Sequence, residues 1–212
     1  MTLPDWLRPL AEAVARVGPE EFSRFRPPRE GGRRSAVLML LGEGPAGPDL
    51  LLIERAATLR AHAGQPAFPG GALDPSDDGP EAAALREAQE EVGVRPESVQ
   101  VIATLPDLWL PPSGFVVTPV LGWWRDPTEV GPADVAEVAA VERVPLAALA
   151  DPANRYTVTH PSGWVGPAFE VSNLVVWGFT AGLVDRLLFF GGWEQPWDRT
   201  RARPLPLPPL TT

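Results

Sequence analysis

Three glutamates, Glu87, Glu90 and Glu91, occupy positions i, i+3 and i+4 of a segment that predicts a helix. At about 100° per residue, this spacing places the carboxylates on one ridge, which we expect to be exposed. Like charges at this spacing repel one another, and the helix dipole also disfavours acids near the carboxy-terminal end. Arg86 offsets this charge only locally. A solvated acidic face would leave the repulsion in place, whereas a bound divalent cation would remove it.

The other residues of the chain narrow the kind of metal. There is no cysteine, which excludes thiolate sites, and the two histidines, His62 and His160, lie far apart in the sequence. Oxygen ligands therefore remain, and they favour Mg²⁺ or Mn²⁺. Gly70 and Gly71 precede a loop with three aspartates, and glycine allows a backbone carbonyl to approach a cation closely.

The glutamates lie on a segment with clear helix boundaries, Pro80–Val92. Proline is tolerated in the first turn of a helix, and Gly79 or Asp78 can cap it. Gly93 supplies a left-handed stop. The apolar residues share one face, which should be buried: Leu85, Ala88 and Val92.

The segments before this helix predict a further helix and a hairpin. Residues 4–17 carry apolar side chains at helical spacing and end at Gly18. Ser35–Leu41 and Asp49–Glu54 are short apolar runs on either side of a Gly/Pro-rich turn, which is the pattern of two strands.

The segments after the helix predict more strands and one more helix. The strand candidates are Val99–Leu105, Phe115–Trp124, Val138–Val144, Tyr156–His160 and Phe169–Trp177. Thr180–Phe189 has an apolar stripe typical of a helix. We therefore expect an α/β fold with a mixed sheet, formed as one domain over residues 1–192. Residues 193–212, rich in Pro and Arg, predict an extended tail.

Composition excludes several classes of function. The net charge of −9 argues against binding along a nucleic-acid backbone, which requires clustered basic residues. No run approaches the roughly 20 apolar residues that cross a bilayer, and the first residues lack a basic region followed by an apolar one. A cytoplasmic protein with a small-molecule substrate is expected, and the oligomeric state, monomer or homodimer, stays open.

The spacing of the glutamates carries a family resemblance. Gly71, followed by Arg86-Glu87-Ala88-Gln89-Glu90-Glu91-Val92-Gly93-Val94, closely resembles the signature of the Nudix hydrolase superfamily. The departure lies in the loop. One residue more than the commonest spacing separates Gly71 from Arg86, and Asp77 or Asp78 stands where a glutamate is usual.

A second resemblance accounts for that departure. Leu51-Leu52-Ile53-Glu54-Arg55-Ala56, followed by Arg60-Ala61-His62-Ala63-Gly64-Gln65-Pro66-Ala67-Phe68-Pro69-Gly70-Gly71, looks like the extra motif of the coenzyme A pyrophosphatase branch. That branch has the same longer loop with aspartates. The resemblance extends over about residues 35–190, and its specific motifs cover 51–94.

The resemblance implies a Nudix fold, which is an α/β/α sandwich, and a metal-dependent hydrolysis. The substrate would be coenzyme A or acyl-coenzyme A, cleaved to adenosine 3′,5′-bisphosphate and (acyl)phosphopantetheine. Glu87, Glu90, Glu91 and the Gly71 carbonyl would hold Mg²⁺ or Mn²⁺, and Arg86 would orient the glutamates. Four residues would contact the substrate: Arg55, Arg60, Gln65 and Phe68. The general base would be a glutamate of the helix or an acid on a later loop, with Glu137 and Glu142 as candidates.

Two alternatives remain open. The same chemistry could act on ADP-ribose or another nucleoside diphosphate derivative, since Pro111 and Pro112 lie near the position where ADP-ribose hydrolases often carry a proline. A nucleotide-sensing module that keeps the fold without activity is the other, but such modules usually lose the glutamates, and here all are present.

Overall fold

The computed structural model describes residues 2–22, 27–28, 31–59, 63–111, 113–160 and 163–205. Arg60, predicted to contact substrate, lies outside the described residues, as do His62 and Pro112. The helices of the described part are α1 (Arg8–Val14), α2 (Pro80–Val92), α3 (Leu146–Ala150) and α4 (Gly178–Phe190). None of them is long and apolar enough to span a membrane.

The strands form two sheets in the described part of the chain. The first contains β1 (Arg33–Gly44), β2 (Gly47–Arg55), β3 (Pro66–Ala67), β4 (Gly70–Ala72), β5 (Val99–Thr104), β6 (Leu108–Leu110), β7 (Phe115–Trp124) and β8 (Val138–Pro145). The second contains β9 (Arg155–Thr159), β10 (Val165–Val171), β11 (Leu174–Val176) and β12 (Ala202–Pro204). Short 3₁₀ turns lie at Pro19–Glu21, Pro96–Ser98 and Pro152–Asn154.

The first sheet is mixed, as predicted. Its main path runs β3-β2-β1-β7-β5, and β4, β6 and β8 pair with β1, β7 and β2 respectively. The β1–β7 pair is parallel, and the other pairs are antiparallel. β1 and β2 form the predicted hairpin, with Gly44 opposite Gly47.

Helices cover both faces of this sheet. Successive residues of a strand point to opposite faces, so Leu38 and Leu40 of β1 pack with the alanines of α2. Met39 and Leu41 point the other way, into a core shared with α1, α3 and α4. The result is an α/β/α sandwich in which α2 lies against β1 and β4 on its own face.

The predicted strand Phe169–Trp177 is instead two strands. β10 and β11 pair antiparallel, with Val171 opposite Leu174. Ser172 and Asn173 form the turn between them, with φ values of 49° and 63°. Positive φ at two consecutive residues is the backbone conformation of a tight hairpin turn, and asparagine adopts it more readily than most residues.

The segment from residue 193 packs on the domain, in contrast to the predicted tail, as far as the structure describes it. The Trp193 ring lies 6.0 Å from that of Trp6. Further along, β12 pairs in parallel with β9, with Ala202 opposite Thr157. Pro204 fits here because β12 is at the edge of its sheet, where a missing N–H costs no ladder bond.

Candidate active site

The helix that carries the glutamates has the predicted boundaries. Gly79 precedes its first residue with φ of 97°, and Gly93 follows its last with φ of 78°. The Gly93 N–H donates to the Gln89 carbonyl at 3.0 Å, and the Val94 N–H donates to Ala88 at 3.2 Å, which closes the helix. The last two turns of α2, with all three glutamates, therefore lie in a fixed position beside β4.

Glu91 is buried, so the predicted exposed ridge is wrong at this position. Its side chain is 8% exposed, and one carboxylate oxygen accepts a 3.0 Å hydrogen bond from the Gly70 N–H. Glu91 is three residues after Ala88 and therefore borders the face of α2 that packs on the sheet. Burial raises its pKa to about 7, the charges of Glu87 and Glu137 act in the same direction, and Gly70 and Arg55 oppose them.

Arg86 holds the more exposed acids of the helix. Its Nε and Nη2 donate to the two oxygens of Asp77 at 2.9 Å each. Its Nη1 donates to Glu87 and to Glu90 at 3.0 Å. Nη2 also donates to the Ala72 carbonyl at 3.2 Å. Arg86 thus binds the loop to the helix and orients two glutamates.

The sequence offers Asp77 or Asp78 at the position where a glutamate is usual. In the structure, Asp77 is the one that binds Arg86. Hydrogen bonding to Arg86 lowers the pKa of Asp77, so its carboxylate is charged at neutral pH. Asp77 also accepts from the Asp74 N–H at 2.8 Å, and Asp74 accepts from the N–H and hydroxyl of Ser76. These bonds shape the loop between β4 and α2.

Two glycines allow the loop to approach its neighbours. A Cβ on Gly70 would overlap the Ala36 carbonyl and the Val37 Cα, so β4 could not lie this close to β1 with another residue. A Cβ on Gly71 would overlap the carboxylate of Glu87. The Glu87 carboxylate therefore packs directly against the backbone of Gly71 in β4.

The residues of this site fit a hard divalent cation. Carboxylate and carbonyl oxygens are the donors that Mg²⁺ and Mn²⁺ prefer. Burial raises the pKa of Glu87 as well as that of Glu91, and a cation would offset the cost of both charges. Within the described ranges, no three acidic or histidine side chains converge on one point. Instead Glu87 and Glu90 turn towards Arg86, and Glu90, with a 60% exposed side chain, has space to turn away.

The residues predicted to contact substrate separate in the structure. Arg55, at a bulge at the end of β2, places its Nη1 3.8 Å from Glu91 Oε1. Gln65 lies beside it, because the Arg55 N–H donates to the Gln65 carbonyl at 3.1 Å. Phe68 is 3% exposed and packs in the core on the opposite face of the sheet from α2. It is a core residue and not a substrate contact.

The structure also separates the two candidates for the general base. Glu142 of β8 pairs with Leu52, whose side chain lies in the core shared with α1, α3 and α4. Directly paired residues point to the same face, so Glu142 faces away from α2. Glu137 is exposed and close enough to Glu91 for its charge to raise the pKa of that residue. Its carbonyl accepts from the Ala56 N–H at 2.9 Å, next to Arg55.

The segment between β7 and β8 belongs to the site, although its sequence has no motif that shows this. The Ala133 N–H donates to the Glu91 carbonyl at 2.9 Å, and the Gly131 N–H donates to Val92 at 3.2 Å. These bonds satisfy carbonyls at the end of α2 and bring Glu137 towards Glu91. Only the pairing of distant segments reveals this contact.

Comparisons with known proteins identify the family of this chain. Residues 32–161 match the NUDIX domain model. The Nudix hydrolase NudL of Cronobacter sakazakii is 44% identical over 161 residues, which are 73% of this chain and 81% of that protein. NudL of Citrobacter koseri is 44% identical over 176 residues, covering 78% and 88%. The chain therefore belongs to the Nudix hydrolase family, whose members generally use divalent metal ions.

Solved structures share the fold. RenU, a Nudix hydrolase from M. smegmatis, superimposes with a TM-score of 0.55 at 23% identity, covering 80% of this chain and 92% of RenU. A MutT/nudix family protein from Enterococcus faecalis has a TM-score of 0.50 at 16% identity, covering 89% and 74%. The predicted Nudix fold is thereby confirmed.

Proposed function

We propose that this protein hydrolyses the diphosphate linkage of coenzyme A or acyl-coenzyme A. The products would be adenosine 3′,5′-bisphosphate and (acyl)phosphopantetheine. The observation that carries the proposal is the position of Glu91. This carboxylate meets both ends of the segment that resembles the coenzyme A pyrophosphatase motif: Arg55 at 3.8 Å and the Gly70 N–H at 3.0 Å. The motif and the glutamate helix therefore form one site.

The residues have separate roles in this proposal. Glu87, Glu90, Glu91 and the Gly71 carbonyl would hold Mg²⁺ or Mn²⁺. Such a cation, when bound, would supply positive charge to offset that of the diphosphate and would lower the pKa of a water molecule. Arg86 orients Glu87 and Glu90, since Nε, Nη1 and Nη2 of its guanidinium all donate to acceptors of the loop and the helix. Glu137 accepts the proton of the water that attacks phosphorus.

The substrate arginines differ in what they can reach. Arg55 is next to a metal-site carboxylate, so we place it on the diphosphate, which all candidate substrates share. Arg60 is then the candidate for the 3′-phosphate, which distinguishes coenzyme A from its dephospho form. A guanidinium contact to a phosphate contributes on the order of 1.5–3 kcal/mol, or roughly ten- to a hundredfold in specificity constant.

A substrate panel tests the proposal. Coenzyme A, acetyl-coenzyme A, dephospho-coenzyme A and ADP-ribose are incubated with Mg²⁺ or Mn²⁺, and the products are separated by chromatography. Coenzyme A should be turned over fastest. A higher specificity constant for ADP-ribose would reject the coenzyme A assignment and support the alternative substrate. Substrate binding without turnover of any diphosphate would indicate a sensing module.

Arginine variants test how substrates are distinguished. Arg60→Ala should remove most of the preference for coenzyme A over the dephospho form, whereas Arg55→Ala should lower both specificity constants by a similar factor. Equal losses on both substrates in Arg60→Ala would place that residue on the diphosphate or in the scaffold.

A matched pair of variants tests the general base. Glu137→Gln should lower kcat about a hundredfold or more, because the amide cannot accept the proton of the attacking water. Glu142→Gln makes the same chemical change on the opposite face of the sheet and should leave kcat close to that of the wild type. A wild-type kcat in Glu137→Gln would return the role of base to a glutamate of α2.

A further inference from the structure

Two arginines contact the glutamates of α2, and they are held very differently. Arg86 makes five hydrogen bonds to Asp77, Glu87, Glu90 and Ala72. Arg55 contacts Glu91 at 3.8 Å, beyond hydrogen-bonding distance, so the attraction between them is purely electrostatic. The Arg55 Nε is buried and has no hydrogen-bond partner in the described part of the chain. The guanidinium of Arg86 is thus held by hydrogen bonds, whereas that of Arg55 is held by a longer ion pair with Glu91.

The backbone of Arg55, in contrast, is fixed. Its N–H donates to the Gln65 carbonyl at 3.1 Å, and its carbonyl accepts from the Gly64 N–H at 3.0 Å. The shift of register between Glu54 and Arg55 directs the end of β2 towards α2. The side chain is 28% exposed. Because the backbone of Arg55 is fixed and its guanidinium is loosely held, the side chain can turn without any movement of the strand.

Glu91 is the acid with the greatest need of a positive partner. It is the most buried of the three helix glutamates, and one of its oxygens already accepts from Gly70. Its other oxygen faces Arg55. A divalent cation at Glu91 would supply positive charge, as Arg55 does, but twice as much and at shorter range, and it would repel the guanidinium.

We propose that Arg55 is a substrate-binding residue that pairs with Glu91 in the metal-free protein and turns to the diphosphate once Glu91 binds a divalent cation. This rests on the proposed metal-dependent diphosphatase function. Arg55 and the cation then compete for Glu91, while phosphate oxygens provide the acceptors that Arg55 lacks. Because coupling between two ligands is reciprocal, cation and diphosphate should each strengthen binding of the other through Arg55.

Metal binding without turnover tests the competition. Mn²⁺ affinity is measured by isothermal titration for the wild type, Arg55→Gln and Arg55→Lys. Arg55→Gln should bind Mn²⁺ roughly three- to tenfold more tightly, since its competitor is gone, and Arg55→Lys should lie closer to the wild type. Arg95→Gln, which removes the same charge from an exposed pair with Asp126 just beyond α2, should change the affinity less. Unchanged or weaker Mn²⁺ binding in Arg55→Gln would overturn the proposal.

Imidodiphosphate, which is not hydrolysed at its bridge, tests the second part of the proposal, that Arg55 turns to the diphosphate. It should tighten Mn²⁺ binding more in the wild type than in Arg55→Gln, by about tenfold or more. An equal effect in both proteins would overturn the proposal. A wild-type crystal with Mn²⁺ and imidodiphosphate avoids any variant that fails to fold. There Arg55 should bind a phosphate oxygen, and Arg55 still paired with Glu91 would contradict the inference. Turnover of the substrate panel judges the proposed function separately.

Discussion

Two clusters of charged side chains lie largely buried in this molecule, and they differ in the balance of their charges. In the first, Arg155 has a fully buried side chain that binds Asp185 and lies 3.4 Å from Glu194. Arg186 and Arg199 pair with the same two acids. The rings of Phe169 and Trp197 also lie against Arg155. Three arginines thus compensate two acids, and the cluster joins β9, α4 and the segment after residue 193.

The second cluster, around α2, has the opposite balance. Among the residues that the structure describes, five acids surround two arginines, Arg86 and Arg55; the acids are Asp77, Glu87, Glu90, Glu91 and Glu137. Five acids therefore face two arginines, and burial raises the pKa of both Glu87 and Glu91. In a compensated cluster each buried charge has a counter-charge and only the loss of a partner is costly, whereas an excess of buried negative charge costs stability unless a cation binds. We infer that the first cluster serves structure and the second serves function.

The largest expected effect comes from removing charge at α2. The double variant Glu87→Gln, Glu91→Gln should lose about a thousandfold or more in kcat/KM, which corresponds to about 4 kcal/mol of transition-state stabilisation. The metal-free fold should be as stable as the wild type or more so, because the repulsion is gone. Steady-state kinetics and urea unfolding measure the two quantities. A double variant with wild-type turnover would show that these glutamates do not hold the metal.

A carboxylate-to-amide substitution in the cluster around Arg155 should instead lower stability and leave turnover largely unchanged. Asp185→Asn leaves Arg155 buried without its main counter-charge and should lower the free energy of unfolding by about 3 kcal/mol. Turnover per folded molecule should be close to that of the wild type, because Asp185 lies on α4, across the sheet from α2. Urea unfolding and kinetics at a temperature where the variant is folded check this. Lower turnover with unchanged stability in Asp185→Asn would contradict the assignment of the first cluster to structure and the second to function.

The next effect is a dependence of stability on pH. The folded protein holds the proton of Glu91 more tightly than the unfolded chain, because burial raises its pKa from 4.5 to about 7. As pH rises from about 4.5 to about 7, the unfolded chain releases this proton while the folded protein still holds it, so stability should fall by at most about 3 kcal/mol. Above pH 7 the loss is complete.

The difference between wild type and Glu91→Gln isolates this contribution from other groups. Thermal unfolding of both proteins is measured in EDTA from pH 5 to pH 8. The Tm of the variant should rise relative to that of the wild type as pH rises. Mg²⁺ should stabilise the wild type more at pH 8 than at pH 5. A pH-independent difference between the two proteins would show that Glu91 titrates at its ordinary pKa.

The smallest expected effect concerns the space beside Gly71. Gly71→Ala places a Cβ against the Glu87 carboxylate, which must shift, and we expect Mn²⁺ affinity to fall about tenfold, or about 1.4 kcal/mol. Gly131→Ala is a matched control, since a Cβ there meets no atom within 4 Å. Isothermal titration of both variants measures the difference. Equal affinities would mean that the close packing of Glu87 on Gly71 plays no part in metal binding.

Local features of this protein were predictable from the sequence. The boundaries of α2 follow from Pro80 and Gly93. Proline is tolerated in the first turn of a helix, and glycine adopts the left-handed conformation that ends one. The β1–β2 hairpin follows from two apolar runs around a turn. The spacing of three glutamates around Arg86 indicated the family, which the NUDIX match confirms. All of these depend on neighbours within a few turns or residues.

Other features depend on which surfaces meet, and only the tertiary structure decided them. Glu91 looked exposed on the helix, but β4 and Arg55 cover it. Phe68 lies within the segment that resembles the coenzyme A pyrophosphatase motif, yet its side chain enters the core on the other face of the sheet from α2. Glu137 and Glu142 were equivalent in the sequence until strand pairing placed Glu142 on the face away from α2.

The segment after residue 193 shows the same division. Its prolines predict an extended chain, and it is extended where β12 lies along β9. The sequence could not show that β9 has an open edge or that Arg155 lies beneath Trp197. Periodicity and turn residues determine the shape of each element and the face it must bury. The partner that covers that face comes from a distant part of the chain, and no local pattern encodes that choice.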